Sequence, residues 1–467
     1  MILDIRMTSL GVDLVIQEDI SSNPRCSHGP TLLFTKFVKD ARKTGRRFYA
    51  CSACRDRKEC QFFQWEDEKM SSCRKNHWEN ELKKTQNKLS HKQCIKRMKQ
   101  ILKLQESERR FCKTCFCFVL PNEQKAHGQH VVCCVKQEEL RKPSNFVLPV
   151  INNKKEAQFF FSENTVKFLI ESIELLGYER CLCIGTPRIH EHIHSKCESS
   201  LKSLLLDLDE RYKIFYNQET FCHYNMFNNY FFDGEESEKI FYDYLNDDKI
   251  VVLLDPPFGG HVDALMQTYK TISRKWTSIT GVKTELPILL FNPYFMEPRL
   301  TEAMPSLVMM DYKVQYINHS SFHNNQKGRK FGSPVRIFTN IEAKYFKLPD
   351  DDYRYCKICK RYVARENKHC FKCNACTSKD GRPYKHCDIC KRCVKESYVH
   401  CNNCNLCVLI NHKCELIQRE SSCHVCGDPG HKRKNCPKIE SLKRKIQNKE
   451  VKEAKRIKKM KKCNVLS

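Results

Sequence analysis

Between residues 356 and 414 the pattern His-Cys-x2-Cys-x2-Cys recurs three times, beginning at His369, His386 and His400. Cys356 and Cys359 precede the first copy, and His412 and Cys414 follow the last. A stretch so rich in thiols and so poor in large apolar side chains has too little to bury for a hydrophobic core to order it. Metal ligation takes over that role, because a structural zinc ion held by four thiolate or imidazole ligands supplies folding free energy directly. Twelve cysteines and four histidines make four tetrahedral sites, and self-similarity means one unit repeated. An interleaved pairing fits the spacing: Cys356, Cys359, His369 and Cys376; Cys370, Cys373, His386 and Cys393; Cys387, Cys390, His400 and Cys407; Cys401, Cys404, His412 and Cys414. Other tetrads are sterically open at this stage.

The chain has 467 residues and 31 cysteines. A secreted disulfide scaffold is the other use of so many cysteines, but residues 1–20 carry no basic segment followed by a long apolar run. CxxC pairs interleaved with histidines are instead the pattern of zinc sites in a reducing compartment. No apolar run approaches the roughly 20 residues of a membrane-spanning helix. Lys and Arg outnumber Asp and Glu by 82 to 55, a net charge of +27. The excess is clustered: residues 438–462 hold twelve Lys or Arg against three Glu, and residues 83–113 form a second basic stretch that reads as a solvated helix or linker. Clustered positive charge implies a polyanionic partner, nucleic acid ahead of a membrane surface. A soluble, nuclear protein is expected.

Cysteine content divides the chain into Cys/His-rich flanks and a middle zone that must supply the large core. That zone has four cysteines, Cys181, Cys183, Cys197 and Cys222, at no ligand spacing, read as ordinary buried thiols. Short apolar runs there alternate with amphipathic stretches, predicting an α/β fold with a mostly parallel sheet covered by helices. Strands are expected at 180–184, 204–208, 250–254, 287–291, 314–318 and 335–339. The last two are too close for a helical crossover and suggest an antiparallel pair at a sheet edge.

The run Val251-Val252-Leu253-Leu254 ends in Asp255-Pro256-Pro257-Phe258-Gly259-Gly260. Chemistry in open parallel sheets collects beyond the carboxyl ends of strands. Asp255 and the carbonyl of Pro256 can accept hydrogen bonds from an aromatic amine, the two prolines hold those acceptors rigidly, and Phe258 can stack on the base. The peptide resembles the [Asp/Asn/Ser]-Pro-Pro-[Tyr/Phe/Trp] motif of amino-methyltransferases, which include N6-adenine enzymes of DNA and RNA. That resemblance implies a class I, Rossmann-like methyltransferase sheet that binds S-adenosylmethionine, flanked here by multiple small zinc-binding modules.

Donor contacts are expected along the same edge. Gly185 lies where the family's loop is usually glycine-rich, and Arg188 is a candidate for the donor carboxylate. Asp207, favoured over Asp209, is placed for the ribose hydroxyls. Residues 221–227 would form the third strand of the donor half and its loop, with Asn225 and Met226 against the donor adenine. Gln158, Phe159, Phe160 and Phe161 precede the first strand, where many such enzymes fold a segment over the donor.

Three further zinc modules are visible. Cys423-x2-Cys426-x4-His431-x4-Cys436 has the spacing of the retroviral-type knuckle, which binds single-stranded RNA bases. Residues 20–68 resemble the GRF zinc finger. Its tetrad maps onto Cys26, His28, Cys51 and Cys60, with Cys54 competing, and arginines beside aromatics (Arg46, Arg47, Phe48, Tyr49) suit a single strand. Cys112 and Cys115 with His127 and His130 offer another module, with Cys117, Cys133 and Cys134 nearby. The array at 353–416 resembles the cysteine-rich part of DHHC-type palmitoyltransferases. It lacks their Asp-His-His-Cys, so acyl transfer is rejected.

The chain divides as a GRF finger (20–68), a C2H2-like module (105–145), a methyltransferase domain (150–347), the array (353–416), a CCHC knuckle (421–438) and a basic tail (439–467). This combination resembles the zinc-knuckle family of ribosomal-RNA N6-adenosine methyltransferases. The resemblance implies a nuclear or nucleolar enzyme, with the cytoplasm a further possibility, acting on large-subunit rRNA. Two rivals are a nucleic-acid-binding adaptor with an inactive methyltransferase fold and an enzyme for DNA adenine or protein glutamine. Intact Asp255 to Phe258 argues against the first, and the RNA-type knuckle against the second. Phosphate contacts set the salt dependence of nucleic-acid binding. Deleting residues 421–467 should therefore weaken RNA binding and flatten its salt slope without changing donor affinity, measured by calorimetry at several salt concentrations.

Overall fold

Five strands of the middle zone are buried on both faces, so their sequences are nearly all apolar, as parallel strands between helix layers require. In the computed structural model, which describes residues 9–38, 45–52, 60–86, 89–148, 159–196, 200–258, 260–317, 333–414 and 436–437, they form one eight-stranded sheet with three further strands. In chain order these are β1 (Arg180–Ile184), β2 (Lys202–Asp207), β3 (Phe221–Asn225), β4 (Tyr230–Phe231), β5 (Ile250–Leu254), β6 (Ile288–Pro293), β7 (Val308–Met309) and β8 (Val335–Thr339). The spatial order is β4-β3-β2-β1-β5-β6-β8-β7. Strands β3, β2, β1, β5 and β6 run parallel, and β8 is antiparallel to both β6 and β7. The order reverses between β1 and β5, so the loops after these two strands diverge and leave a crevice at their carboxyl ends.

Side chains alternate between the faces with period two. Leu182, Ile184, Leu204, Leu206, Val252 and Leu254 enter one core with α3 (Glu235–Tyr244), α4 (Val262–Thr280) and α5 (Glu297–Ala303). Cys181, Cys183, Leu205, Val251 and Leu253 enter the other with α1 (Glu163–Leu175) and α2 (Pro187–Ser195). Cys181, Cys183 and Cys222 are buried, as expected of core thiols, while Cys197 lies outside the described residues.

The expected strand at 314–318 does not form. The partner of β8 at the sheet edge is β7; Val314 N still donates to Val335 O of β8 at 3.3 Å, but residues 315–317 turn to the segment before α1. Ser162 N donates to Gln315 O at 2.8 Å, Ile317 N donates to Phe160 O at 2.9 Å, and Phe161 bridges Tyr316. The antiparallel end is therefore real, with a different strand in it. Once 160–162 takes the backbone groups of 315–317, those groups are no longer available to extend the sheet.

The flanking modules share the core. The finger is a four-stranded antiparallel sheet, Ser9–Leu14, Leu32–Val38, Arg47–Ala50 and Phe63–Trp65, and its Leu32, Phe34 and Phe48 join the core beneath α3, α4 and α5. Part of the basic stretch forms a helix at His91–Leu102, capped by Ser90 and Gln93, which buries His91, Cys94 and Ile101. In the next module Phe111 and Phe118 pack with Phe146 and with Phe215 of the central domain. The array is a run of short hairpins, the first of which is keyed to the strand β7 exit. Buried Asp311 accepts hydrogen bonds from Ala364 N at 2.9 Å and Asn367 Nδ2 at 2.8 Å, and pairs with Arg361 at 3.5 Å. Among the described residues no helix is long and apolar enough to cross a membrane.

Removing one member of a buried charged network leaves the others unpaired, which costs on the order of 3 kcal/mol. Asp311→Ala should lower the urea-unfolding free energy by about that much, and limited proteolysis should then cut between the sheet and the array.

Candidate active site and zinc modules

β1 and β5 lie side by side in register, so Ile184 and Leu254 end level and place Gly185 and Asp255 together. Asp255 N donates to Ile184 O at 3.0 Å, fixing the first residue of the Asp-Pro-Pro-Phe turn against the β1 loop. Gly185 has φ of +66°, and a Cβ there would stand 2.7 Å from Asp255 O and 2.9 Å from Met226 Cε. Glycine is required here on both counts. One glycine, where the family's loop usually has several, thus suffices to bring the β1 loop, the β3 loop and the Asp255 turn into contact.

Around Asp255 the chain builds an aromatic wall. Tyr316 Oη donates to both carboxylate oxygens, at 3.2 and 3.3 Å. Its ring meets Phe258 edge-on at 6.1 Å, Phe159 edge-on at 6.1 Å and Phe161 at 5.2 Å. Burial pushes the Asp255 carboxyl well above the usual carboxylate range, and the Tyr316 hydroxyl pulls it back in part. Phe160 and Phe161 are core residues, Phe161 also packing on Phe291. Phe159 and Phe258 are half-buried at the rim, and Pro256 is buried beneath them. Gln158 and Gly259 lie outside the described residues. Tyr316 is the functional residue that sequence reasoning missed. Its signal was hidden in Val314-Gln315-Tyr316-Ile317, which alternates like a strand.

Other donor candidates are placed differently. Asp207 stands at the carboxyl end of β2 and accepts from Asp209 N at 2.9 Å, whereas Asp209 is tied to Arg211 by a 2.7 Å ion pair. Arg188 does not face the crevice as expected. Its guanidinium bonds Ser144 Oγ at 2.9 Å and pairs with Glu191 and Glu163, since Glu191 lies one helical turn on in α2. Asn225 is buried, and its amide donates to His28 O and Ser52 Oγ of the finger, both at 2.9 Å. Its side chain is thereby turned from the donor toward the finger, leaving Met226 as the residue at the crevice.

The cysteines and histidines come together in fours. Cys26, His28, Cys51 and Cys60 form one group and Cys112, Cys115, His127 and His130 a second. In the array the groups are Cys356, Cys359, His369 and Cys376; Cys370, Cys373, His386 and Cys393; and Cys387, Cys390, His400 and Cys407. Cys401, Cys404, His412 and Cys414 converge likewise, with Cys401 Sγ 3.6 Å from Cys414 Sγ and His412 Nε2 3.5 and 3.1 Å from Cys404 and Cys414. A zinc tetrahedron with Zn–S of about 2.3 Å and Zn–N of about 2.0 Å has S–S edges of about 3.8 Å and S–N edges of about 3.5 Å. Observed separations, such as 3.7 Å for Cys373–Cys393 and 3.2 and 3.6 Å for His386 to Cys373 and Cys370, fit those edges. These are Zn2+ sites, and none of the described cysteines is in a disulfide.

A shared turn presents the ligands. In five of the described groups the residue after the second cysteine of the leading CxxC pair has a left-handed backbone: Phe116, Lys360, Asn374, Lys391 and Asn405, with φ between 47° and 53°. That turn folds the chain back into the next strand, bringing the third cysteine toward the pair. His369, His386 and His400 face their cysteines through Nδ1. His412 does so through Nε2, because its Nδ1 bonds Leu409 O at 2.8 Å.

Arg46 and Arg47 of the finger are each paired with carboxylates across a hairpin. Arg46 stacks on Trp65 at 4.0 Å and pairs with Asp67 and Glu68, while Arg47 pairs with Glu66 at 2.5 Å. Cys423, Cys426 and His431 of the knuckle lie outside the described residues, as does Cys54. Cys436 is buried. Elemental analysis of the purified protein should find seven zinc ions per chain, six for the groups above and one for the knuckle. Chelation should unfold both flanks and spare the sheet, read by circular dichroism and proteolysis.

Comparison with known proteins agrees with this geometry. A family profile described as "Probable N6-adenine methyltransferase" matches residues 152–343, and the GRF zinc finger profile matches residues 24–69. The chain is 46% identical over 449 residues to the rRNA N(6)-adenosine-methyltransferase ZCCHC4 of Homo sapiens, covering 93% of this chain and 87% of that one. It is 45% identical to the ZCCHC4 protein of Bos taurus (93% and 86%) and 42% identical to that of Xenopus laevis (94% and 92%). The chain belongs to the ZCCHC4 family of rRNA N6-adenosine methyltransferases.

Proposed function

We propose that the protein transfers a methyl group from S-adenosylmethionine to N6 of an adenosine in large-subunit rRNA, in the nucleolus or nucleus. The observation that carries this reading is the Asp255 to Phe258 turn at the mouth of the β1/β5 crevice, set against Gly185 and walled by aromatics. Gly185, Met226 and Asp207 would hold the donor, which supplies an electrophilic methyl on a positively charged sulfur.

The chain's own residues prepare the acceptor. Phe258 stacks on the adenine, and the rim ring of Phe159 helps exclude water. The Asp255 carboxylate and the Pro256 carbonyl accept hydrogen bonds from the exocyclic amine, directing its lone pair at the methyl group. As the N–CH3 bond forms the sulfur–methyl bond breaks, and the amine gives up one proton toward Asp255 or water. Pro256 and Pro257 hold both acceptors in place before the substrate arrives, so little reorganisation is needed during the step.

The accepting form of Asp255 is the ionised one, so the rate should rise as pH passes through its raised pKa. Tyr316→Phe removes the hydroxyl that lowers that pKa. The acidic limb of the rate profile should therefore move to higher pH in this variant. In the unfolded chain Asp255 titrates near the ordinary value of about 3.9. Between that pH and the raised native value the unfolded state binds fewer protons, so this group's contribution to stability falls as pH rises. Asp255→Asn should thus lose on the order of 10²-fold or more in methyl transfer while matching or exceeding the wild type in thermal stability at neutral pH. Full activity in a folded Asp255→Asn or Asp255→Ala protein would overturn the assignment.

A further inference from the structure

The loop between β3 and β4, residues 225–230, is held from two sides. On one side it meets the finger at the residues that carry its metal ligands. Asn225 donates to the carbonyl of His28 and to Ser52, the residue after Cys51; Asn228 donates to His28 O at 3.2 Å and Pro30 O at 2.8 Å. Gly29, between these carbonyls, has φ of +93°, and a Cβ there would stand 2.4 Å from the ring of Tyr230. On the other side the same loop meets the crevice. Met226 Cε lies against Gly185, and Phe227 is so close to Gly260, just past the Asp255 turn, that a Cβ there would stand 2.3 Å from its ring. Asn225 links the two sides, because its Oδ1 accepts from Phe227 N at 3.1 Å while its amide nitrogen holds the finger.

The geometry points to the finger's zinc loop as the outer wall of the methyl-donor pocket, with Asn225, Asn228 and Ser52 as positioning residues that set Met226 and Phe227. A finger serving only to recruit RNA would not need its ligand-bearing loop pinned by four hydrogen bonds, two of them fully buried, to the segment that contacts Gly185. Zinc ligation fixes the conformation of residues 26–30 and 51–52, and therefore the direction of the His28 and Pro30 carbonyls. Those carbonyls orient the two asparagines, and the asparagines fix the loop that meets the donor. Donor affinity is thus built partly outside the methyltransferase domain. The inference rests on the reading of the β1/β3 edge as the donor site.

Calorimetry with S-adenosylmethionine on the full-length, zinc-loaded chain tests it. Ser52→Ala, which removes one buried hydrogen bond, should raise the donor Kd about tenfold, and Asn228→Ala, which removes two, at least as much. Ser52→Thr, which keeps the hydroxyl, should bind the donor as the wild type does. Zinc content and RNA affinity measured without donor should stay at wild-type values in all three, and melting temperature should fall by no more than a few degrees in the alanine variants. Unchanged donor affinity in both alanine variants would overturn the proposal. So would a parallel loss of donor affinity, RNA affinity and melting temperature, because that would mean general loosening. A wild-type chain that takes up no donor would instead remove the functional reading itself, and this inference with it.

Discussion

Metal ligation is the constraint on which the flanks depend. Apart from cysteines, the buried apolar side chains of the array come down to Tyr353, Val363, Ala364 and Val394. Fixing the backbone of one residue costs about 1–2 kcal/mol, so a segment of this length cannot be ordered by four such side chains. Four thiolate and imidazole tetrads can order it, since each ties residues from two successive repeats and so passes order along the chain. The left-handed residue after each leading CxxC pair is the backbone consequence, tolerated at Lys360 and Lys391 as well as at Asn374 and Asn405 because the metal over-determines the turn.

Order in the flanks matters for chemistry because each flank grips one lip of the crevice. The finger holds the loop 225–230 beside Gly185. The first array hairpin holds Asp311 and, through a 2.8 Å hydrogen bond from Lys313 N to Tyr353 Oη, the start of the segment that ends at Tyr316. Tyr316 in turn holds Asp255. Sheet, finger and array are therefore one construction around the reacting centre, and zinc reaches it through peptide and hydrogen bonds while remaining outside the chemistry.

Much of this was legible in the residues themselves. The runs that became β1, β5 and β8 are unmistakable because both faces are buried, and the tetrads could be paired because the repeat leaves each CxxC near the next histidine. Asp255 announced itself through two prolines after an apolar strand. What the sequence concealed was long-range. Residues 314–317 alternate like a strand, but the backbone of 315–317 is claimed by 160–162, some 150 residues earlier in the chain. Arg188 and Asn225 have the right chemistry at the right strand ends. Their partners, Glu191 and Ser144 for one and His28 and Ser52 for the other, decide which way they point, and no local pattern encodes that. The ion pairs of Arg46 and Arg47 were hidden for the same reason, since Asp67, Glu68 and Glu66 lie across a hairpin from them.

The central claim is that this crevice methylates N6 of adenosine in RNA. Incubating the zinc-loaded protein with isotopically labelled S-adenosylmethionine and rRNA that lacks the modification, then hydrolysing the RNA to nucleosides, tests it most directly. The account predicts that the label appears in N6-methyladenosine and disappears when Asp255 is replaced by Asn. Label confined to another nucleoside or to protein, or its absence from RNA altogether, would contradict it.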